Sequence, residues 1–254
     1  MTINNQNRYL LHISYLGTNY SGWQIQNNAN TIQGLIMDGM QLILDKNISL
    51  IVGAGRTDAG VHAVNFFAHF DYTTIDVNEF RYKLNRFLPD DIVIHSIRNV
   101  SDDYHARFSA LSRTYEYWIS TVKDPFLINR SYFYFHALDL NLMNESAQML
   151  VGTHDFGAFS KSKAENSTCS VKSAVWVQSK NMLIFSIKAD RFLHNMVRCI
   201  VGTLVKVGLH TISLDDFSQV LFDGSRSKLA YSVPASGLYL MNVKYPKSFN
   251  CESI

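Results

Sequence analysis

The segment with the densest chemical potential is Gly53-Ala-Gly-Arg-Thr-Asp-Ala-Gly-Val-His62. Three glycines in eight residues, between two apolar runs, mark a backbone that bends close to something or turns irregularly. The loop presents a guanidinium (Arg56) and a carboxylate (Asp58) two residues apart, with the Thr57 hydroxyl between them. A carboxylate so placed can act as a base or a nucleophile, and the arginine can meet an anion. The loop is not a P-loop, because no Gly-Lys-Ser/Thr follows. Nor is it a dinucleotide fingerprint, since Asp58 stands where the third glycine belongs and no helical pattern comes after it. A salt-bridged surface turn accounts for the same spacing equally well.

Other polar residues point less far. His62 lies four residues after Asp58, but on a glycine-rich loop rather than a helix, which is poor geometry for a metal pair. His154-Asp155 lacks the serine or cysteine that a relay would serve. His69, His194 and His210 read as structural or surface histidines. Cys169, Cys199 and Cys251 cannot all pair and match no zinc or redox spacing, so reduced thiols in a cytoplasmic chain are expected, and no metal.

The elements that must carry these residues follow from hydrophobic period. Tyr9–Tyr15 alternates Leu11, Ile13 and Tyr15 as a strand. Thr31 caps a helix striped by Ile32, Leu35, Ile36, Ile43 and Leu44. Ile48–Val52 and Val64–Phe70 read as strands around the loop. Asn78 opens a helix bearing Phe80, Leu84, Phe87 and Leu88, stopped by Pro89, and Ile92–Ile97 is again a strand. The second half repeats the order, with a strand at Thr114–Thr121 and a helix at Leu142–Val151 after Asp139. A strand pair, Val171–Gln178 and Met182–Lys188, turns at Ser179–Asn181. The helical stripe Leu193, Met196, Val197, Ile200, Val201, Leu204, Val205 follows, then an extra helix at Asp215–Phe222 and a last strand at Leu238–Val243. Two β-α-β-β-α-β units predict an α+β protein of two tandem ferredoxin-like halves, residues 1–108 and 109–254, with helices packed on a central, mostly antiparallel sheet.

With 254 residues, 47% hydrophobic and 13% aromatic content, the chain has ample material for a core and none of the signature of disorder. The polar start, Met1 to Arg8, shows no secretory pattern. The longest apolar stretch, Cys199 to Leu209, contains Lys206 and is shorter than the ~20 residues a membrane span requires. Net charge is +2, unevenly spread. Residues 1–127 hold 10 Lys and Arg against 12 Asp and Glu, whereas residues 128–254 hold 13 against 9. Lys161, Lys163, Lys172, Arg191 and Arg226 are therefore candidate phosphate contacts through charge alone, and a polyanionic partner is permitted rather than required.

A resemblance narrows these readings. Gly55-Arg-Thr-Asp-Ala-Gly-Val-His-Ala63 resembles the signature loop of the tRNA pseudouridine synthase A (TruA) family. Tyr15-Leu-Gly17 with Gly22-Trp-Gln-Ile-Gln26, Leu84-Asn85 with Leu88-Pro-Asp-Asp-Ile92, Ala106-Arg-Phe108 and Tyr115-Glu-Tyr117 resemble further family motifs in order. So do Gly152-Thr-His-Asp-Phe156 with Phe159, Phe192-Leu193 with Met196-Val-Arg198 and Gly202, and Gly237-Leu-Tyr-Leu240. One departure is Phe66, where the family usually has Gln.

The resemblance implies a cytoplasmic, homodimeric isomerase that converts uridine to pseudouridine in the tRNA anticodon stem-loop (tRNA positions 38–40). Breaking the C1′–N1 bond and joining C1′ to C5 needs no redox change or group donor, hence no cofactor. Asp58 matches the catalytic aspartate, Arg198 the arginine that pairs with it, and Tyr115 the tyrosine that stacks on the target base. Arg56 matches an arginine expected to touch RNA, and Leu238 an apolar residue lining the uracil pocket. On residue type alone, Arg198 reads as an exposed helix arginine, Tyr115 as cross-strand packing and Leu238 as strand core. An RNA-binding protein that keeps the scaffold without catalysis is the alternative from another class.

Overall fold

A computed structural model describes residues 6–44, 48–222 and 231–249; Arg226 and Cys251 lie outside them. The chain divides into two compact units, one holding residues through Leu111 and the chain from Leu240 onward, the other Ser112–Tyr239.

The first unit runs β1 (Asn7–Tyr15), α1 (Ile32–Ile43), β2 (Val52–Gly53), β3 (His62–Tyr72), α2 (Val77–Phe87) and β4 (Ile92–Val100). β1 is central and antiparallel to both β3 and β4, and β2 pairs antiparallel with the far side of β3. This order, β4-β1-β3-β2, is that of a ferredoxin-like fold. Tyr9, Leu11, Ile13 and Tyr15 are all buried, as their alternation requires. The Thr31 side chain caps α1 by accepting the Gly34 N–H. At α2 the cap is Asp76, whose carboxylate accepts the N–H groups of Asn78 and Glu79 at 3.0 Å each. Asn78 is thus the second residue of the helix rather than its opening. Asn85 reaches β4, donating to the Ile94 carbonyl and accepting its N–H.

The expected strand at Ile48–Val52 shrinks to Val52–Gly53. Ile48 and Ile51 are buried, Ile51 completely, while Leu50 faces solvent, and the Ile51 carbonyl accepts from the Gln33 side chain instead of joining a ladder. A short apolar run with two buried isoleucines, and no ladder beside it, gave that segment its strand-like pattern.

The second unit contains β5 (Ser112–Ser120), β6 (Tyr132–Phe133), α3 (Leu140–Met149), β7 (Gly152–Asp155), β8 (Thr168–Ser179), β9 (Met182–Ala189), α4 (Met196–Gly208) and α5 (Leu214–Phe222). β9 lies antiparallel between β5 and β8, β7 extends the β8 edge, and short β6 runs parallel to β5. α4 is buried along most of its length and packs beside α3. Its stripe begins one turn before the helix does: Leu193 lies in the preceding turn, and Asn195 holds a left-handed φ of 63° as the N-cap. β10 (Leu238–Lys244) starts in this unit and ends in the first. There it neighbours β3, with Asn65 donating to the Met241 carbonyl. Both units are thus α+β with mostly antiparallel strands. Among the described residues no helix is long and apolar enough to cross a membrane.

One histidine is built into the first unit as a neutral group. His69 on β3 is 4% exposed, and its Nδ1 accepts the Ala106 N–H at 3.1 Å. Burial, reinforced by the nearby Arg8 guanidinium, pushes its pKa down from 6.5 to about 4. The unfolded chain therefore binds this proton first as pH falls. The stabilisation is complete above 6.5 and is lost progressively between 6.5 and 4. Thermal midpoints across that window should fall with pH, and His69→Asn, which keeps an acceptor near the Nδ1 position but cannot titrate, should flatten the slope.

Candidate active site

Asp58 sits in a loop whose backbone is moulded largely by the earlier segment Tyr15–Trp23. The Thr57 carbonyl accepts the Trp23 N–H at 3.1 Å, Gly60 N–H reaches the Tyr20 carbonyl at 3.2 Å, and Ala54 N–H is anchored on Phe67 of β3 at 2.7 Å. Within the loop, Val61 N–H closes on the Asp58 carbonyl. Side chains complete the mould. The buried hydroxyls of Thr57 and Tyr15 bond at 2.8 Å, and Nδ1 of His62, 1% exposed, accepts the Gly17 N–H at 3.0 Å. His62 is thus a buried structural histidine.

Two glycines make this approach possible. A Cβ on Gly17 would stand 2.0 Å from the Val61 carbonyl oxygen, and one on Gly22, whose φ is +90°, would stand 2.4 Å from the Thr57 oxygen. The opening motif therefore has a physical reason. It brings bare backbone against the loop, so that Thr57 is pulled inward while its neighbours turn outward. Asp58 is half-buried and Arg56 exposed, with Arg56 Nε donating to the Gln24 side chain at 3.2 Å. Below the loop, Phe66 is fully buried, its ring 4.1 Å from Trp23 and 5.7 Å from Tyr15 between centroids. Phe66 thus gives the loop an aromatic floor, which Gly53 leaves room for. The Tyr20 hydroxyl bonds Asp91 of the Pro89-Asp-Asp motif, and burial together with that carboxylate raises its pKa. Asp91 also accepts the Leu16 N–H on its carbonyl. Three separated motifs so become one scaffold.

In the second unit, Tyr115 lies on β5, half-buried, with its ring edge-on to Phe192 at 5.0 Å. Phe192 belongs to the turn that leads into α4, so the aromatic and the helix bearing Arg198 are linked locally. Arg198 is half-buried on α4, away from the apolar stripe. Its Nε donates to the Val233 carbonyl at 2.8 Å, while Val233 N–H returns to the Arg198 carbonyl. The segment Ser232–Pro234 works as a strap. The Ser232 hydroxyl bonds the Asn195 side chain, and the buried Tyr117 hydroxyl donates to the Pro234 carbonyl at 2.8 Å. Burial raises the Tyr117 pKa, so the phenol stays a donor. Gly202 lets the strap lie against α4, since a Cβ there would meet the Tyr231 carbonyl at 1.9 Å.

Gly237 lies directly against Tyr117 and Trp118, and Leu238, 5% exposed, follows it as buried strand. Lys161 and Lys163 are exposed; the Lys161 N–H bonds the His194 carbonyl. The structure thus joins Tyr115 with Phe192, and Arg198 with the Val233 strap and Tyr117. It gives the two lysines no comparable setting. The strap is the part that residue reading missed: Tyr231–Pro234 carries no motif, and only its hydrogen bonds reveal it. Among the described residues no three His, Cys, Asp or Glu side chains are grouped as a metal site requires.

What this machinery resembles is consistent along the chain. A family model described as tRNA pseudouridine synthase matches residues 12–109 and 146–246. The chain is 46% identical over 247 residues to the tRNA pseudouridine synthase A of Bacteroides fragilis, covering 94% of this chain and 97% of that protein. For the protein of that name from Bacteroides thetaiotaomicron the identity is 42% over 253 residues, covering 96% and 93%. For that of Acetivibrio thermocellus it is 41% over 240 residues, covering 92% and 98%. Tyr115 falls between the matched segments, whereas Asp58 and Arg198 lie inside them. On matches of this extent, the chain belongs to the tRNA pseudouridine synthase family.

Proposed function

We propose that this protein converts uridine to pseudouridine in the anticodon stem-loop of tRNA, with Asp58 as the catalytic carboxylate, Arg198 as its cationic partner and Tyr115 as the platform for the target base. Family membership makes the protein an isomerase acting on tRNA. The observation that carries the finer reading is the Asp58 loop: a half-buried carboxylate on a backbone held at Thr57 by Tyr15 and Trp23 and at Gly60 by Tyr20, all three buried.

The reaction releases N1 of uracil from C1′, turns the base and bonds C5 to C1′, after which C5 gives up its proton and N1 takes one up, so that product and substrate are isomers. One carboxylate serves by adding to the sugar, adding to the base, or accepting a proton from the sugar. Each route needs it ionised while a polyanion covers it. A guanidinium beside a carboxylate favours the charged form, which is the work assigned to Arg198. Its Nε is committed to Val233, so the strap fixes the plane of the guanidinium. Tyr115, braced edge-on by Phe192, offers a ring on which an extruded uracil can stack. Leu238 supplies apolar wall. Arg56, Lys161 and Lys163, all exposed, meet phosphate. On this reading the enzyme works without a cofactor, as a homodimer in the cytoplasm, the first half supplying the carboxylate and the second the arginine and the stacking ring.

Asp58→Asn should lower pseudouridine formation on unmodified tRNA transcripts by a factor on the order of 10²–10⁴ or more, while tRNA binding stays within a few-fold of wild type. Turnover at the wild-type rate would remove Asp58 from the chemistry, and a folded wild-type protein that leaves every anticodon arm unmodified would favour the non-catalytic RNA-binding alternative. Gly22→Ala tests the mould: a Cβ beside the Thr57 carbonyl displaces the loop, so single-turnover rates should drop by at least tenfold, about 1.4 kcal/mol. An unchanged rate with Ala at position 22 would show that the loop's path does not matter.

A further inference from the structure

The Ala106-Arg-Phe108 motif has a feature that neither packing nor the chemistry at Asp58 accounts for. Ala106 is fully buried, yet Phe108 is 76% exposed and Arg107 is exposed beside it, its guanidinium carbon 5.6 Å from the Phe108 ring centroid. The ring is carried on a backbone tied at several points. Arg8, itself paired with Asp71, donates to the carbonyls of Asp102 and Tyr104 at 2.6 and 2.8 Å. Ala106 donates its N–H to His69 Nδ1 and accepts the Tyr245 hydroxyl at 2.6 Å. His105 Nδ1 accepts from both Arg107 and Phe108, each at 3.2 Å, and the Ser109 hydroxyl accepts the His105 N–H. The rings form a column: His69 meets His105 edge-on at 4.8 Å, and His105 lies 4.3 Å from Phe108.

We propose that Arg107 and Phe108 form a second RNA-contacting element, in which Phe108 stacks on an unpaired base of the substrate and Arg107 meets an adjacent phosphate. This rests on the reading of tRNA as substrate. A ring held in advance loses little freedom on binding, and an unpaired base would extend a column that already ends in an exposed face. Both imidazoles must keep Nδ1 unprotonated to hold the loop, and burial lowers both pKa values. Charge alone does not make this site. Asp102 and Asp103 flank the segment and Arg8 is occupied by Asp71, so the ring supplies the contact and Arg107 a single phosphate pairing.

Equilibrium binding of a full-length tRNA transcript tests the proposal. Phe108→Ala should weaken binding by roughly five- to a hundredfold, the range for losing one base–aromatic stack. Phe108→Trp should bind like wild type, and both should melt within a degree or two of it because the side chain is exposed. Arg107→Gln should reduce the slope of log affinity against log salt by about one, whereas Phe108→Ala should leave that slope unchanged. Wild-type affinity in Phe108→Ala, with wild-type protein forming pseudouridine, overturns this element alone. Wild-type protein that forms no pseudouridine on any transcript overturns the substrate reading beneath it. A loss of self-association in Phe108→Ala by sedimentation without RNA overturns the proposal by assigning the ring to contact between copies of the chain.

Discussion

A carboxylate on a loop keeps a direction only if the peptide units on either side of it are bonded to something stiffer than the loop. In this protein the constraint is met by backbone meeting backbone: the Thr57 carbonyl on the Trp23 N–H, with Gly22 bare beside it, and the Val61 carbonyl against an equally bare Gly17. The Tyr15 and Thr57 hydroxyls and the His62 imidazole then saturate the polar groups this close approach buries. Phe66 and Trp23 fill the space beneath. The motifs at positions 15–26, 53–63 and 88–92 are thus parts of one object, tied by Tyr20 to Asp91.

The second unit solves a matching problem by different means. An arginine long enough to wander is pinned at Nε by the carbonyl of Val233, and the strap carrying that carbonyl is pinned in turn by Tyr117 and Asn195. Tyr115 and Tyr117, two residues apart on β5, thereby share a face and divide the labour, one braced by Phe192 and the other holding the strap. A Tyr-x-Tyr strand with Gly237 lying against it leaves little freedom to any of these groups.

Much of this was legible in the sequence because local order has local causes. The α1 stripe with its Thr31 cap, the β8–β9 hairpin and the long apolar helix α4 all follow from side-chain period. Legibility failed where tertiary bonding replaced period. Ile48–Ile51 reads as strand because it is apolar, but Gln33 takes the Ile51 carbonyl that a ladder would have used. Leu193 belonged to the helical stripe yet sits in a turn ended by left-handed Asn195. Glycine enrichment announced that the Asp58 loop approaches something; that the partners are Gly17 and Gly22 is a fact of three dimensions. The Ser232–Pro234 strap has no composition to announce it.

The division of β10 carries a consequence for synthesis. Met241 meets Asn65 across 176 residues of sequence, and Tyr245 and Lys244 secure Ala106 and Leu111. Chains leave the ribosome amino end first, so β3 emerges long before the strand that lies along it. The segment Ser112–Tyr239, by contrast, is one continuous stretch that ends two residues into that strand. The first unit is therefore closed only by a strand made after the second, and Phe67 meets the Tyr245 ring only once that strand has been made.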